Sequence, residues 1–157
     1  RLDVLNPSSS IMRKAISAQL SSLDRSDLYF TYHFDPSTAY VAMSESVFCL
    51  QPPGDSATRR GFFDSILLGC IPVIFSSSRT TYLPFATLNL EEHAIILSPD
   101  QAYSGILDTL SAITQEERRQ RQEGLAGLAS RLNWGLPGAQ GDVFESVLGM
   151  LRELRDQ

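Results

Sequence analysis

Short apolar or aromatic runs alternate with amphipathic stretches along the chain. The runs, bounded by Pro, Gly, Asp and Ser, predict β-strands at 27–33, 46–50, 71–75 and 93–97. Apolar residues recurring at helical spacing predict helices at 10–22, 38–44, 57–68, 100–113, 114–132 and 142–154. Thr114 and Glu117 should form a reciprocal cap, and Asp55 or Ser56 should cap the helix that follows them.

Strands that are separated by helices and apolar throughout indicate a parallel sheet with helices on both faces, which is a Rossmann-like α/β fold. The 157 residues suffice for one domain with a sizeable core, so we expect a single domain over 1–157. Ligands of such sheets bind beyond the carboxyl ends of the strands. The loop 51–56 lies at one such end, and the loops 76–84 and 98–99 are expected at the same rim.

The charge balance makes any anion site local. The chain has 13 basic and 18 acidic residues, a net charge of −5, which disfavours nucleic acid as a partner. Two adjacent arginines, Arg59 and Arg60, nevertheless follow the turn Pro-Pro-Gly-Asp-Ser at 52–56. Arginines at a helix start oppose the helix dipole, so the pair makes sense if a phosphate neutralises it.

The turn before the arginines has the chemistry of a phosphate site. Gly54 lets the backbone bend and a ligand approach closely, and the following N–H groups have no partner within the helix. An ordinary helix cap beside two solvated arginines is the alternative interpretation. Asp64 has two open interpretations as well, a contact to a ligand hydroxyl or an i, i+4 pair with Arg60.

The remaining polar residues carry weaker signals. Cys49 and Cys70 are expected to be buried thiols, although a disulfide between adjacent strands stays open. His33 could have a catalytic role, whereas His93 should open a strand and be structural, and Trp134 should be a packing anchor.

The sequence has no Asp-x-Asp motif and no Cys/His set at ligand spacing, so no metal is expected. It has no apolar run of membrane-spanning length, and its first residue is Arg1 rather than Met, which suggests a fragment.

The stretch 44–75, SESVFCLQPPGDSATRRGFFDSILLGCIPVIF, resembles the exostosin-like glycosyltransferases of family 47. The likeness is greatest to the plant branch that includes xyloglucan galactosyltransferases, with a similar FCLQPPGDS…TRR…FDS…GCIPV block. It extends more weakly to YLPF at 82–85 and to the helix SSIMRKAISAQL, so that it covers about residues 10–132.

This resemblance implies the C-terminal, donor-binding half of an inverting enzyme with the two-domain GT-B fold. The donor would be a nucleotide diphosphate sugar such as a UDP-sugar, the acceptor a glycan hydroxyl, and no metal cofactor would be needed. Gly54, Asp55 and Ser56 would lie beside the donor phosphates, with Arg59 and Arg60 as the family's basic positions.

The resemblance also carries expectations about the site and about the whole protein. Asp64 stands where related enzymes carry a Glu associated with the ribose, and its shorter side chain has less reach. The catalytic base should come from an acceptor half outside this chain, so the chain alone is expected to be inactive. The compartment implied is the lumenal side of the Golgi membrane, in polysaccharide or cell-wall biosynthesis, and a paired glycosyltransferase chain is a further possible partner. A non-catalytic nucleotide-sugar-binding or partner-stabilising module is the alternative function.

Overall fold

The computed structural model describes residues 7–21, 35–53, 59–76, 89–135 and 141–155. The helices are α1 (Pro7–Ser21), α2 (Pro36–Glu45), α3 (Arg60–Leu67), α4 (Leu90–His93), α5 (Ile106–Ser111), α6 (Gln115–Leu132) and α7 (Val143–Arg155), with a 3₁₀ segment at Pro99–Ala102. The strands are β1 (Phe48–Gln51), β2 (Ile71–Phe75) and β3 (Ile95–Leu97). The predicted strand 27–33, with His33, lies outside the described residues, as do the loop positions 77–84.

The described strands form one parallel sheet in the order β1-β2-β3, so the predicted α/β class and parallel sheet are confirmed. Phe48 pairs with Ile71 and Val73 with Ile95, which makes β2 the central strand. Every residue of β2 is buried, as expected of an apolar run with neighbours on both edges. The predicted bounds of β2 are confirmed, whereas β1 begins two residues later than predicted and ends at Gln51.

Helices flank this sheet and share one hydrophobic core with it. Helix α3 connects β1 to β2, and helix α6 contacts both α3 and α4. Arg121 on α6 donates to the carbonyls of Glu92 and Ala94, which ties α6 to the segment entering β3. Buried residues of helices α1, α3, α5 and α6 join those of β2 and β3 in the core: Met12, Ile16, Leu20, Phe62, Ile66, Ile106, Leu110, Leu125, Leu128, Val73, Phe75 and Leu97.

Several predicted helices are confirmed and one is wrong. The reciprocal cap of α6 is present, because Thr114 and Glu117 each accept from the other's backbone N–H. The segment 100–113 is not one helix, since Gly105 has a φ of 84° and separates the 3₁₀ segment from α5. A left-handed residue interrupts helical hydrogen bonding, and glycine adopts it without a steric penalty.

Two aromatic side chains differ from their predicted settings. His93 is the last residue of α4 rather than the first of a strand, since β3 begins at Ile95. Its ring packs against α6 so closely that a Cβ on Gly124 would lie 2.2 Å from it. Trp134 is 73% exposed, so the prediction of a packing anchor is wrong.

Cys49 and Cys70 form a disulfide, which corrects the expectation of two buried thiols. Their Cα atoms are 5.9 Å apart, within the usual range for a disulfide. Cys49 lies in β1 and Cys70 immediately precedes β2, where the parallel register brings the two strands side by side. The sequence allowed this pairing but could not decide it, because only the register sets the separation.

Candidate anion-binding site

The turn after β1 is held by two arginines, one on α1 and one at the residue before α3. Nη1 of Arg59, just before α3, donates to the carbonyl of Pro52 at 2.6 Å. Nη2 of Arg13, on α1, donates to the carbonyl of Pro53 at 3.3 Å. These consecutive carbonyls are the last described groups before residues 54–58, so α1 and α3 both fix the backbone at the carboxyl end of β1.

Arg60 has different partners from Arg59. Its Nη2 donates to the Tyr40 hydroxyl at 2.5 Å, and its Nε lies 3.3 Å from Oδ2 of Asp64. The Arg60 side chain is 81% exposed in spite of these contacts, while that of Asp64 is 21% exposed. Two contacts therefore orient the guanidinium, and most of its surface still faces solvent.

Helix α3 begins with a residue that cannot cap it. Arg59 has the extended φ and ψ of an N-cap, −128° and 143°, and its side chain makes no capping hydrogen bond. A guanidinium has only donors, so the Arg59 side chain offers no acceptor to the first N–H groups of α3. The Arg59 carbonyl accepts from the Phe62 N–H at 3.1 Å, and the N–H groups of Arg60 and Gly61 come before it. Such N–H groups and the helix dipole favour an anion. The predicted helix start at Ala57, capped by Asp55 or Ser56, is wrong, because α3 starts at Arg60.

Gln51 and Gly61 pack β1 against the first turn of α3. Gln51 is buried, and a Cβ on Gly61 would lie 2.9 Å from its Oε1. The missing side chain of Gly61 lets the last residue of β1 approach the start of the helix. This close approach places Arg59 and Arg60 beside the carboxyl end of β1, the edge at which parallel sheets bind ligands.

The predicted site residues are only in part described by the structure. Gly54, Asp55 and Ser56 lie outside the described residues. Arg59, Arg60 and Asp64 are grouped at the start of α3, and the Arg60–Asp64 ion pair is one of the two arrangements that the sequence left open.

Sequence reasoning missed Arg13 and Tyr40. A cation beside the buried Met12 on α1 was an available signal for Arg13. Tyr40 precedes Arg60 by 20 residues, and nothing in the spacing predicts their contact.

Helix α2 presents Tyr40 from a well-defined start. Asp35 caps this helix by accepting from the backbone N–H of Thr38 at 2.9 Å, and Pro36 occupies the first helical position. Hydrogen bonds from the Thr38 hydroxyl, and then from its backbone N–H, hold the pKa of Asp35 below its ordinary value. The cap is therefore a carboxylate at neutral pH.

In the described ranges, no three His, Cys, Asp or Glu side chains are grouped so that they could hold a metal ion. The same ranges contain no helix that is both long and apolar enough to cross a membrane.

The exostosin GT47 domain matches residues 6–113, which include all the residues of the candidate site. The chain belongs to the exostosin GT47 family. The match covers every described strand of this exostosin domain and ends before α6.

Named glycosyltransferases of Arabidopsis thaliana are similar to this exostosin domain. The probable xyloglucan galactosyltransferase GT15 is 35% identical over 134 residues, which cover 76% of this chain and 28% of that protein. The xyloglucan galactosyltransferase MUR3 is 34% identical over 119 residues, 70% of this chain and 19% of its own length. Xyloglucan-specific galacturonosyltransferase 1 is 63% identical over 38 residues, 24% of this chain and 6% of its length. The chain thus spans less than a third of each relative.

Proposed function

We propose that this exostosin domain is the donor-binding half of an inverting glycosyltransferase with the GT-B fold. It binds the diphosphate of a nucleotide sugar, with a UDP-sugar as the first candidate, for transfer to a glycan hydroxyl. Family membership and the names of the relatives support the reaction class. The second half, which binds the acceptor and supplies the base, lies outside this chain in the proposed enzyme.

The observation that carries the proposal is the setting of Arg60. A chain with net charge −5 places an exposed guanidinium at the carboxyl end of β1 and orients it with two contacts. Arg60 is the first residue of α3, where the helix dipole disfavours a cation. Its ion pair with Asp64 is largely exposed on the arginine side and contributes little stabilisation in return. A diphosphate bound there would be stabilised by the guanidinium and by the N–H groups of the helix start together.

The two arginines then have different tasks. Arg59 is turned inward to the Pro52 carbonyl and fixes the turn, and Arg13 does the same at Pro53. Arg60 is the side chain that meets the phosphate oxygens. Negative charge grows on the leaving diphosphate as the sugar departs, and an oriented cation lowers the energy of that transition state. Since guanidiniums and N–H groups supply the positive charge, the proposed site needs no metal ion.

The disulfide supports the proposed compartment. Disulfides persist in the secretory pathway and outside the cell and are rare in the cytosol. The bridge between Cys49 and Cys70 therefore agrees with a lumenal domain, and we place the enzyme on the lumenal side of the Golgi membrane.

Calorimetry with UDP and uridine tests the phosphate site. We expect the chain to bind UDP more tightly than uridine, and Arg60→Ala to weaken UDP binding by about 1.5–3 kcal/mol, the range for a hydrogen bond to a charged group. Uridine binding and the melting temperature should change little, because Arg60 is exposed.

Arg119→Ala is the matched control, because Arg119 is an exposed arginine that pairs with carboxylates on α6. It should leave UDP affinity unchanged. Equal affinities for UDP and uridine would contradict the phosphate site. Intact UDP binding in Arg60→Ala, with a large loss of stability, would make Arg60 a structural residue only.

A further inference from the structure

We propose that Tyr40 is a positioning residue for the donor diphosphate, acting through Arg60. Its hydroxyl accepts from Nη2 of Arg60 and so sets the direction in which the guanidinium points. This inference rests on the proposed function and names a residue on α2 for which the sequence predicts no role.

The contact geometry fixes the plane of the guanidinium. The Tyr40 hydroxyl accepts a hydrogen bond from Nη2. The Asp64 carboxylate, on the same helix as Arg60, lies close to Nε. The guanidinium carbon also lies 6.0 Å from the centre of the Tyr40 ring, at the outer limit of a cation–π contact. Neither polar contact uses Nη1, so among the described residues that end of the guanidinium is left to phosphate oxygens.

The chemistry of a phenol suits this task. A carboxylate both orients a cation and neutralises it, and therefore competes with an anionic ligand. The Tyr40 hydroxyl is a neutral acceptor that orients the guanidinium and leaves its positive charge in place. A second carboxylate in place of Tyr40 would reduce the attraction for a diphosphate.

The placement of Tyr40 also limits the cost of binding. A long exposed arginine has many rotamers and loses their entropy when a ligand immobilises it. Tyr40 lies on α2, which contacts α3 and is capped by Asp35, so its hydroxyl is a defined point outside the arginine's own helix. A guanidinium already held there loses less freedom when the diphosphate arrives.

Tyr40→Phe removes the hydroxyl and keeps the ring, which makes it the main variant. We expect UDP affinity to fall about three- to tenfold, the effect of one hydrogen bond, with uridine affinity unchanged. In the Arg60→Ala background, the same substitution should have an effect below about 1.5-fold, because the two residues act as one unit. Tyr103→Phe is the control, since Tyr103 is an exposed tyrosine that directly follows the 3₁₀ segment.

An NMR measurement separates positioning from packing. The ¹⁵Nε–¹Hε signal of Arg60 should show a rigid side chain in the unliganded chain and a mobile one in Tyr40→Phe, whereas the melting temperature stays the same.

The outcomes of these experiments distinguish the role of Tyr40 from the proposed function. Unchanged UDP affinity in Tyr40→Phe, while Arg60→Ala still binds weakly, would overturn the role of Tyr40 and leave the proposed function intact. The role would likewise be overturned if Tyr40→Phe reduced UDP affinity by the same factor in the unsubstituted chain and in the Arg60→Ala background. Tyr40 would then act independently of Arg60. Failure of the unsubstituted chain to prefer UDP over uridine would overturn both proposals, whatever the NMR signal shows.

Discussion

Reduction of the Cys49–Cys70 disulfide should destabilise the chain without changing its core. The two cysteines are 21 residues apart in sequence and close a loop that contains α3, Arg59 and Arg60. Releasing a loop of that length restores entropy to the unfolded chain, which we expect to cost about 3 kcal/mol of unfolding free energy. For a chain of this size, the melting temperature should fall by about 6–12 °C.

Urea unfolding followed by circular dichroism, with and without reductant, measures this free energy. Complete reduction is verified by alkylating the thiols after unfolding. The double variant Cys49→Ala/Cys70→Ala is the control: it should be less stable than the oxidised chain and should not respond to reductant. A midpoint that does not move when both thiols are shown to be free would refute the loop-closure reasoning.

Other expectations follow from single positions. On α6, Gly127→Ala should raise stability by about 0.5–1 kcal/mol through helix propensity, because nothing lies within 4 Å of its added Cβ. Gly124→Ala should instead lower stability, since its Cβ would clash with His93. Adding His93→Ala to Gly124→Ala should relieve that loss, and urea unfolding of Gly127→Ala, Gly124→Ala and the double variant checks these expectations. The depressed pKa of Asp35 means that its contribution to stability is complete above its ordinary value of 3.8 and is lost as pH falls through the lower folded value. Melting scans at neutral and acid pH should therefore show a smaller acid loss in Asp35→Asn, which can still cap α2. For the proposed donor site, EDTA should leave UDP affinity nearly unchanged, and strict dependence on Mn²⁺ would contradict an arginine-based site.

The local elements and the class of fold could be predicted from the amino-acid order alone. The uninterrupted apolar run 71–75 predicted a strand buried on both faces, and it is the central one of the three described strands. Thr114 and Glu117 specify a helix start through their own hydrogen bonds, and they form it. The block at 44–75 identified the family, whose domain match includes it. Each of these features depends on residues close together in the chain, so the amino-acid sequence is enough to find them.

Contacts between distant residues depend on how the elements pack, and the sequence did not predict them. The register of β1 and β2 joined Cys49 to Cys70, and the packing of α1 and α2 brought Arg13 and Tyr40 to the candidate site. The start of α3 was predicted too early, because a glycine turn with Asp and Ser resembles a cap, whereas the helix begins at Arg60. Trp134 was expected to be a packing anchor, yet it lies on the surface. Contacts between residues far apart in sequence depend on how the elements pack, and the pattern along one chain does not contain that information.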